Sequence, residues 1–482
     1  MANINETFAQ ALERFKKNKR QTCRRKIKLP KEIKKPIINP TLNAAEFSWD
    51  VISYLQNEKD GTSVKPKKNR QWVLTWLSPK GNLNVKAAEK KDLAVLKIIS
   101  ENSGIEKTSK NLNMPLLALN NIFKSAAQEH IIFMPESKIR RKGNFFNNGP
   151  FASNKYLIAN TFVLQWHITN ACDLNCKHCY DRTKRSPLIY KQGLKILRQL
   201  KDFCKKMNVK GHVCFTGGNP FLHKSFLKLY KDAAGSGFST SILGNPVSKK
   251  RLEEILSIQI PGYFQVSLEG LERYNDYIRG KGHFKRSLSF LKLLKKMKVS
   301  STVMLTLNKD NVDQIIPLAQ KLKGEADCFT FNRLSRTGEG KNFFLPTQLK
   351  YKKFLYDYTK ASKKNPMMEY KDNLINTVLS KNEKRVFDGC TGYGCGAAFN
   401  FVALLPDGQV HACRKFPSLI GNVLNKNLLS IYNSKKAQKY RQGTLACNGC
   451  SLRPVCGGCL AVTDSYGLNV FTQKDPHCFY RH

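Results

Sequence analysis

The chain has 482 residues, 41% of them apolar and 24% charged, which allows about two to four domains with ample core and excludes a chain that is disordered overall. No stretch approaches about eighteen consecutive apolar residues and residues 1–14 lack an apolar run, which excludes a membrane span and a secretory signal and leaves the cytoplasm as the expected location. The 82 Lys and Arg against 35 Asp and Glu give a formal charge of +47, a field that favours anionic partners unless it is only a solvated lysine surface.

Residues 1–40 read as a mobile basic arm, because positions 14–35 hold twelve Lys or Arg and one Glu with no apolar periodicity after Phe15. Residues 47–55 suit a short amphipathic helix. Two apolar runs at 72–77 and 82–85 flank the turn Ser78-Pro79-Lys80-Gly81 and suit a hairpin. Three helices follow. Leu93, Leu96 and Ile99 share one face, Gly104 breaks the helix, residues 105–112 form a second, and Leu116, Leu119, Phe123 and Ala126 mark a third. A strand at 130–134 and the basic run 138–142 complete a winged-helix-like domain over 41–142. Such a domain can dock in DNA by its basic wing or serve as structure alone.

The stretch 143–154, rich in Asn, Gly and Phe, reads as a linker. Beyond it strand and helix alternate. Strands are expected at 162–168, 213–216, 240–243, 263–268, 301–307 and 328–332, and one helical face carries Leu194, Leu197, Leu200, Cys204 and Met207. Six such units imply a parallel sheet whose site lies in the loops at the strand C-termini.

Immediately after the first of these strands stands Cys172-Asp-Leu-Asn-Cys176-Lys-His178-Cys179. Zinc in a structural site takes four protein ligands, so three thiolates either borrow a fourth from elsewhere or hold an iron–sulfur cluster with one iron left open. The segment resembles the C-x3-C-x2-C loop of the radical S-adenosylmethionine (SAM) enzymes, including the ring-bearing residue before the last cysteine. That resemblance implies a partial (β/α)6 TIM-like barrel over 155–345 and a 4Fe-4S cluster on Cys172, Cys176 and Cys179. The open iron would chelate SAM, which is split by one electron into methionine and a 5′-deoxyadenosyl radical. Thr216-Gly217-Gly218-Asn219-Pro220 resembles the family's Gly-Gly-Glu-Pro loop, with Gly217, Gly218 and Asn219 at SAM-contact positions. Asn219 replaces the usual acid, so an amide oxygen can still accept a hydrogen bond but the charge-assisted contact is lost. Ser267 in Gln265-Val-Ser-Leu-Glu-Gly270, and Arg279 after it, resemble a serine and an arginine that contact SAM, the guanidinium matching a carboxylate.

Eight cysteines crowd the C-terminal part. Their spacing, with an Asp407-Gly408 turn between Cys395 and Cys413, resembles the twin-cluster SPASM domain over 385–482, although the last short gap has two residues where the family commonly has three. The resemblance implies one auxiliary cluster on Cys390, Cys395, Cys413 and Cys459 and another on Cys447, Cys450, Cys456 and Cys478, three 4Fe-4S clusters in all. Four thiolates leave no open iron, which points to electron transfer; zinc ribbons are the plainer alternative. Cys204, Cys214 and Cys328 read as core residues and Cys23 as a free thiol.

The expected fold class is therefore α/β, with a winged-helix-like domain before the barrel and a SPASM domain after it. The resemblance implies a peptide maturase that takes hydrogen from a ribosomally made precursor peptide. It also implies that the N-terminal domain binds the leader, possibly acidic in composition, by strand addition, and that flavodoxin or ferredoxin supplies electrons. No membrane partner is expected and nucleic acid is disfavoured. No catalytic side chain is readable. The rivals are a sulfatase-activating-type side-chain oxidase and a DNA-binding redox sensor.

Overall fold

The structure, a computed structural model, describes residues 6–62, 64–141, 145–146, 150–382 and 385–480. Residues 143–144 and 147–149 of the expected linker therefore lie outside the described residues. Two units divide the chain, Met1–Met114 with Ala118–Glu136, and Pro115–Leu117 with Ser137–His482.

In the first unit the expected basic arm is in large part a helix, α1 (Phe8–Cys23). Thr7 fixes its start, accepting from the Gln10 N–H while the Gln10 side chain accepts from the Thr7 N–H. Ala11 and Phe15 lie one turn apart and are buried with Phe47, Val51 and Val73, so much of the charge run is the solvent face of an amphipathic helix. The strands β1 (Ile37–Ile38) and β2 (Asn43–Trp49) follow, then α2 (Val51–Lys59). The helix expected over 47–55 begins later because Asp50 caps it, accepting from the Ser53 N–H, and Phe47 stays in β2. The expected hairpin is present as β3 (Lys68–Leu77) and β4 (Leu83–Ala87). The three helices are α3 (Lys90–Ser100), α4 (Ile105–Asn111) and α5 (Leu116–Gln128), and the last strand shrinks to β5 (Ile132–Phe133). The sheet β2-β3-β4 is antiparallel with β2 and β4 as its edges, and β5 pairs with β1.

Of the run 138–142, expected as a basic wing, residue 142 lies outside the described residues and residues 138–141 fall in the second unit. There the short α6 (Asn154–Leu157) precedes β6 (Thr161–Thr169). The chain continues through α7 (Tyr190–Met207), β7 (Lys210–Gly217), α8 (Phe226–Gly235), β8 (Ser239–Leu243), α9 (Lys249–Leu256) and β9 (Phe264–Ser267). After α10 (Glu272–Arg279) and α11 (His283–Lys296) come β10 (Ser301–Leu307), α12 (Ile315–Lys321) and β11 (Cys328–Arg333). Strands β6 to β11 are neighbours in chain order, and each pair is parallel. Helices cover them, which is why a strand such as β8 is buried at every position.

Residues between the expected barrel and SPASM segments, unassigned from sequence, form α13 (Gln348–Lys364) and α14 (Asn376–Asn382). Phe354 and Tyr358 of α13 pack edge-on against Phe331 of β11. The C-terminal segment then adds β12 (Phe401–Leu404), β13 (Gln409–His411) and β14 (Leu419–Asn422). The expected turn at Asp407-Gly408 joins β12 to β13, with Gly408 at φ +84°. β12 lies parallel beside β6, so the C-terminal segment extends the same sheet to nine strands. The helices α15 (Leu428–Tyr432), α16 (Lys435–Gln442) and α17 (Leu460–Ser465) complete it.

Candidate active site and cysteine groups

The C-terminal ends of β6 to β11 surround a cavity of about 410 Å³, a size suited to a small-molecule cofactor. Cys172, Cys176 and Cys179 all line it, on the loop that leaves β6. The loop is fixed by its backbone: the Cys179 N–H donates to the Cys176 carbonyl at 3.1 Å and the Lys177 N–H to the Ile278 carbonyl at 2.9 Å. Burial pushes the Cys176 thiol up and Arg279 pulls it back.

Gly217 and Gly218 line the cavity at the end of β7, and their need for hydrogen in place of a side chain comes from the cysteine loop itself. A Cβ on Gly217, at φ +134°, would stand 2.1 Å from the Thr169 carbonyl oxygen, and one on Gly218 2.2 Å from that of Ala171. Both are impossible contacts for backbone to yield to. The Gly218 N–H donates to Thr169 and the Asn219 N–H to Ala171, each at 2.8 Å. Asn219 is buried beside the cavity with its amide engaged: Nδ2 donates to Asp173 Oδ1 at 2.9 Å, and Oδ1 accepts from the Phe221 N–H. Asn245, after β8, also donates to Asp173 Oδ1, at 2.6 Å, and reaches Cys172 Sγ at 3.5 Å. Neither Asp173 nor Asn245 carries a spacing signal in the sequence.

Ser267 and Arg279 both line the cavity, but the Arg279 guanidinium is held by a carboxylate that the sequence reading quoted without assigning. Its Nε and Nη2 donate to Glu269 Oε1 at 2.9 and 2.5 Å, while Nη1 reaches Cys176 Sγ at 3.6 Å. Glu269 is fully buried; its Oε2 accepts from the Thr306 N–H at 2.8 Å, and His178 Nε2 stands 3.2 Å from Oε1 without hydrogen-bond alignment. Burial alone would push Glu269 up, but Arg279, His178 and the Thr306 amide outweigh it and hold it down at about 2. Burial and then Arg414 push His167 down to about 3, so its ring is neutral near pH 7. Both nitrogens of His178 and Nε2 of His167 are buried without a hydrogen-bond partner at the cavity wall. With three thiols, N–H donors aimed at two of them and unsatisfied ring nitrogens, the wall fits a polar cofactor beside a thiolate-bound cluster.

The eight C-terminal cysteines are brought into two groups, judged by which thiol acts on which. Cys395 feels Cys390, Cys459 and Cys413, and Cys413 feels Cys459; Cys456 feels Cys478, Cys447 and Cys450. Burial, ahead of these neighbours, pushes Cys390 and Cys447 up to about 11, so loss of their protons awaits a bound cation. Among the described residues no three His, Cys, Asp or Glu side chains are gathered closely enough for a single metal ion. Asp475 serves both groups: its Oδ2 accepts from the Cys459 N–H and its carbonyl from the Cys478 N–H, each at 2.9 Å. Arg141, expected in the basic wing, donates instead to the carbonyls of Tyr393, Cys395 and Arg441.

Residues 166–322 match the radical SAM superfamily and residues 395–459 the iron-sulfur cluster-binding SPASM domain. The antilisterial bacteriocin subtilosin biosynthesis protein AlbA of Bacillus subtilis is 24% identical over 62% of this chain and 68% of its own length. The AdoMet-dependent heme synthase of Methanosarcina barkeri is 22% identical over 66% of this chain and 96% of its own. Streptococcus suis SuiB, crystallised with its precursor peptide SuiA, superposes with a TM-score of 0.54 at 18% identity, over 85% of this chain and 97% of that one, which shows a shared fold.

Asn219→Glu restores the acid usual in the family, yet here it sets a second carboxylate against Asp173. The expected result is a loss of about 1–2 kcal/mol in thermal unfolding of the iron-free chain, recovered in the double variant D173N/N219E. A single variant as stable as the unaltered chain would mean that the two loops are not coupled through this contact.

Proposed function

We propose that this chain, a radical SAM enzyme with a C-terminal SPASM domain, is a peptide maturase that installs an oxidative modification or crosslink in a ribosomally made precursor. The observation that carries the reading is the cavity in which Cys172, Cys176 and Cys179 face Gly217, Gly218, Ser267 and Arg279. In this reading Cys172, Cys176 and Cys179 hold a 4Fe-4S cluster, and the two further cysteine groups, Cys390, Cys395, Cys413 and Cys459, and Cys447, Cys450, Cys456 and Cys478, hold one auxiliary cluster each. When bound, the first cluster and SAM supply a 5′-deoxyadenosyl radical that takes hydrogen from the substrate.

The chain's own residues do the positioning. Glycine at 217 and 218 lets the backbone of two loops form one wall, and Ser267 offers a hydroxyl from β9. Glu269 neutralises Arg279 and keeps it aligned, so that its remaining nitrogen is presented beside Cys176. Enclosure by the strand ends limits water around a reactive species. The name of AlbA and the SuiB structure with SuiA support a peptide substrate. A cytosolic setting suits fifteen cysteines that are all free thiols.

Two partners belong to the same reading. The first unit binds the leader of the precursor by strand addition, supported by β2 and β4, each paired on one side only. An acidic one-electron donor such as flavodoxin or ferredoxin docks on a groove of about 820 Å³ that includes Ala171, next to Cys172. Arg182, Lys184 and Lys224 supply its charge beside Arg185, which is paired with Asp407; Ile189 and Leu222 are exposed there by 64% and 48%, and no acidic residue lines it.

Three measurements test this. Reduced enzyme, SAM and a deuterated precursor peptide should yield deuterated 5′-deoxyadenosine and a peptide lighter by hydrogen; 5′-deoxyadenosine that never carries label from any peptide encoded nearby would remove the maturase assignment. Deleting residues 1–136 should abolish measurable binding of fluorescent precursor peptide while dithionite-driven SAM cleavage persists, whereas undiminished affinity would take the leader away from this unit. The double variant K184E/K224E should slow flavodoxin-driven SAM cleavage about tenfold at low salt and leave dithionite-driven cleavage unchanged; equal rates with both reductants in variant and wild type would place the donor elsewhere.

A further inference from the structure

Two arginines sit between the C-terminal cysteine groups in an arrangement that is unfavourable as it stands. Both approach the ring of Phe146, Arg141 at 4.4 Å and Arg453 at 5.1 Å from its centroid. Both line a narrow cleft whose wall also includes Cys395 of one group and Cys447 of the other. The Arg141 residue keeps some exposed surface, but its Nε is buried with no hydrogen-bond partner, and its two terminal nitrogens turn onto three carbonyls, those of Cys395 at 2.6 Å, Tyr393 at 2.8 Å and Arg441 at 2.9 Å. Arg453 is buried and donates to the Gln442 carbonyl at 2.6 Å and Asn448 Oδ1 at 3.1 Å. Every one of these partners is neutral.

Carbonyls orient a guanidinium but do not cancel its charge, and two enclosed cations on one ring repel each other. Arg141 donates to the carbonyl of Cys395, and Arg453, whose backbone N–H donates to the Cys450 carbonyl, lines a second cleft together with Cys447, Cys450, Cys456 and Cys478. Each arginine therefore faces a different cysteine group. A cluster held by four thiolates is a net anion in both its oxidised and its reduced form, and reduction adds one more negative charge.

We propose that Arg141 and Arg453 are the counter-cations of the two auxiliary iron–sulfur clusters, Arg141 for the Cys390, Cys395, Cys413 and Cys459 group and Arg453 for the Cys447, Cys450, Cys456 and Cys478 group, each raising the reduction potential of its own cluster. This rests on the reading of those cysteines as cluster ligands. The physical sense is direct: a fixed positive charge beside the sulfurs stabilises the reduced form more than the oxidised form, because the reduced form carries the larger negative charge. A maturase needs that bias, since abstraction of a hydrogen atom leaves an electron on the peptide that must pass to an acceptor. Both arginines act through the clusters and are positioning residues.

The test is a potentiometric titration of reconstituted full-length enzyme followed by electron paramagnetic resonance, with iron content measured on the same samples. Arg141→Gln should move one auxiliary signal to lower potential and Arg453→Gln the other, while Arg141→Lys and Arg453→Lys, which keep the charge and lose the fork, should titrate near wild type. Wild-type potentials in both Gln variants with full iron would overturn the proposal. So would Lys variants that shift as far as the Gln variants, because hydrogen-bond geometry and not charge would then be responsible. Where a Gln variant loses its cluster, retention of iron at the wild-type potential by the matching Lys variant supports the charge role, and loss of iron in both overturns it. Wild-type enzyme with no auxiliary signal at all would instead remove the cluster-ligand reading on which the proposal stands.

Discussion

The backbone contact between the loops that follow β6 and β7 is the constraint on which the site depends. The Thr169 and Ala171 carbonyls accept from the amides of Gly218 and Asn219, and neither Gly217 nor Gly218 has room for a Cβ. This contact places the first cysteine of the loop, Cys172, one residue beyond a hydrogen-bonded anchor. A side chain at either glycine would force the loops apart by about 1 Å, and the cavity wall would open with them. The two glycines thus shape the cysteine loop from outside it, a role that is separate from leaving space for a cofactor.

Buried charge then fixes the strands around that wall. Glu269 collects Arg279 and the Thr306 amide at the ends of β9 and β10, joining the helix that follows one strand to the next strand over. Arg333, at the end of β11, is fully buried between Asp372 and Asp475. Only loss of both acids would strand the guanidinium in the interior, at a cost of at least about 3–5 kcal/mol. Asp475 also holds the backbone of Cys459 and Cys478. One aspartate, through its carboxylate and its backbone carbonyl, therefore connects a cavity-lining residue to members of both C-terminal cysteine groups, so a shift of β11 would be felt at both.

Much of this was legible in the sequence because it is written in spacing. The six parallel strands, the cysteine loop at the end of the first, the glycine pair at the end of the second and the Asp407-Gly408 turn all stand where periodicity and turn chemistry put them. What was not legible depends on partners distant along the chain. Ala11 and Phe15 look isolated in a lysine-rich run until Phe47 and Val73 are folded against them. Arg141 sits in a run indistinguishable from a basic wing, yet its partners are Tyr393, Cys395 and Arg441, roughly half the chain away. Glu269 lay inside a quoted motif but gave no sign that its proton affinity would be set by Arg279 and His178. Local pattern records which face is buried; it does not record which charge waits on the other side.

Asn219 is where these two kinds of information meet. Read alone, an amide in the place of the family's acid means that the loop has lost a charge. In the fold the Asn219 amide donates to Asp173, which also accepts from Asn245 on the next strand's loop. A carboxylate therefore remains at the junction, carried by the cysteine loop instead of the glycine loop, and two neutral donors replace what would have been a repelling pair. Asp173 does not line the cavity, whereas Asn245 reaches both it and Cys172 Sγ. The relocated charge thus acts on the orientation of the amide that faces the thiol, and the consequence of the substitution falls on how the cysteine loop is braced before it falls on any cofactor.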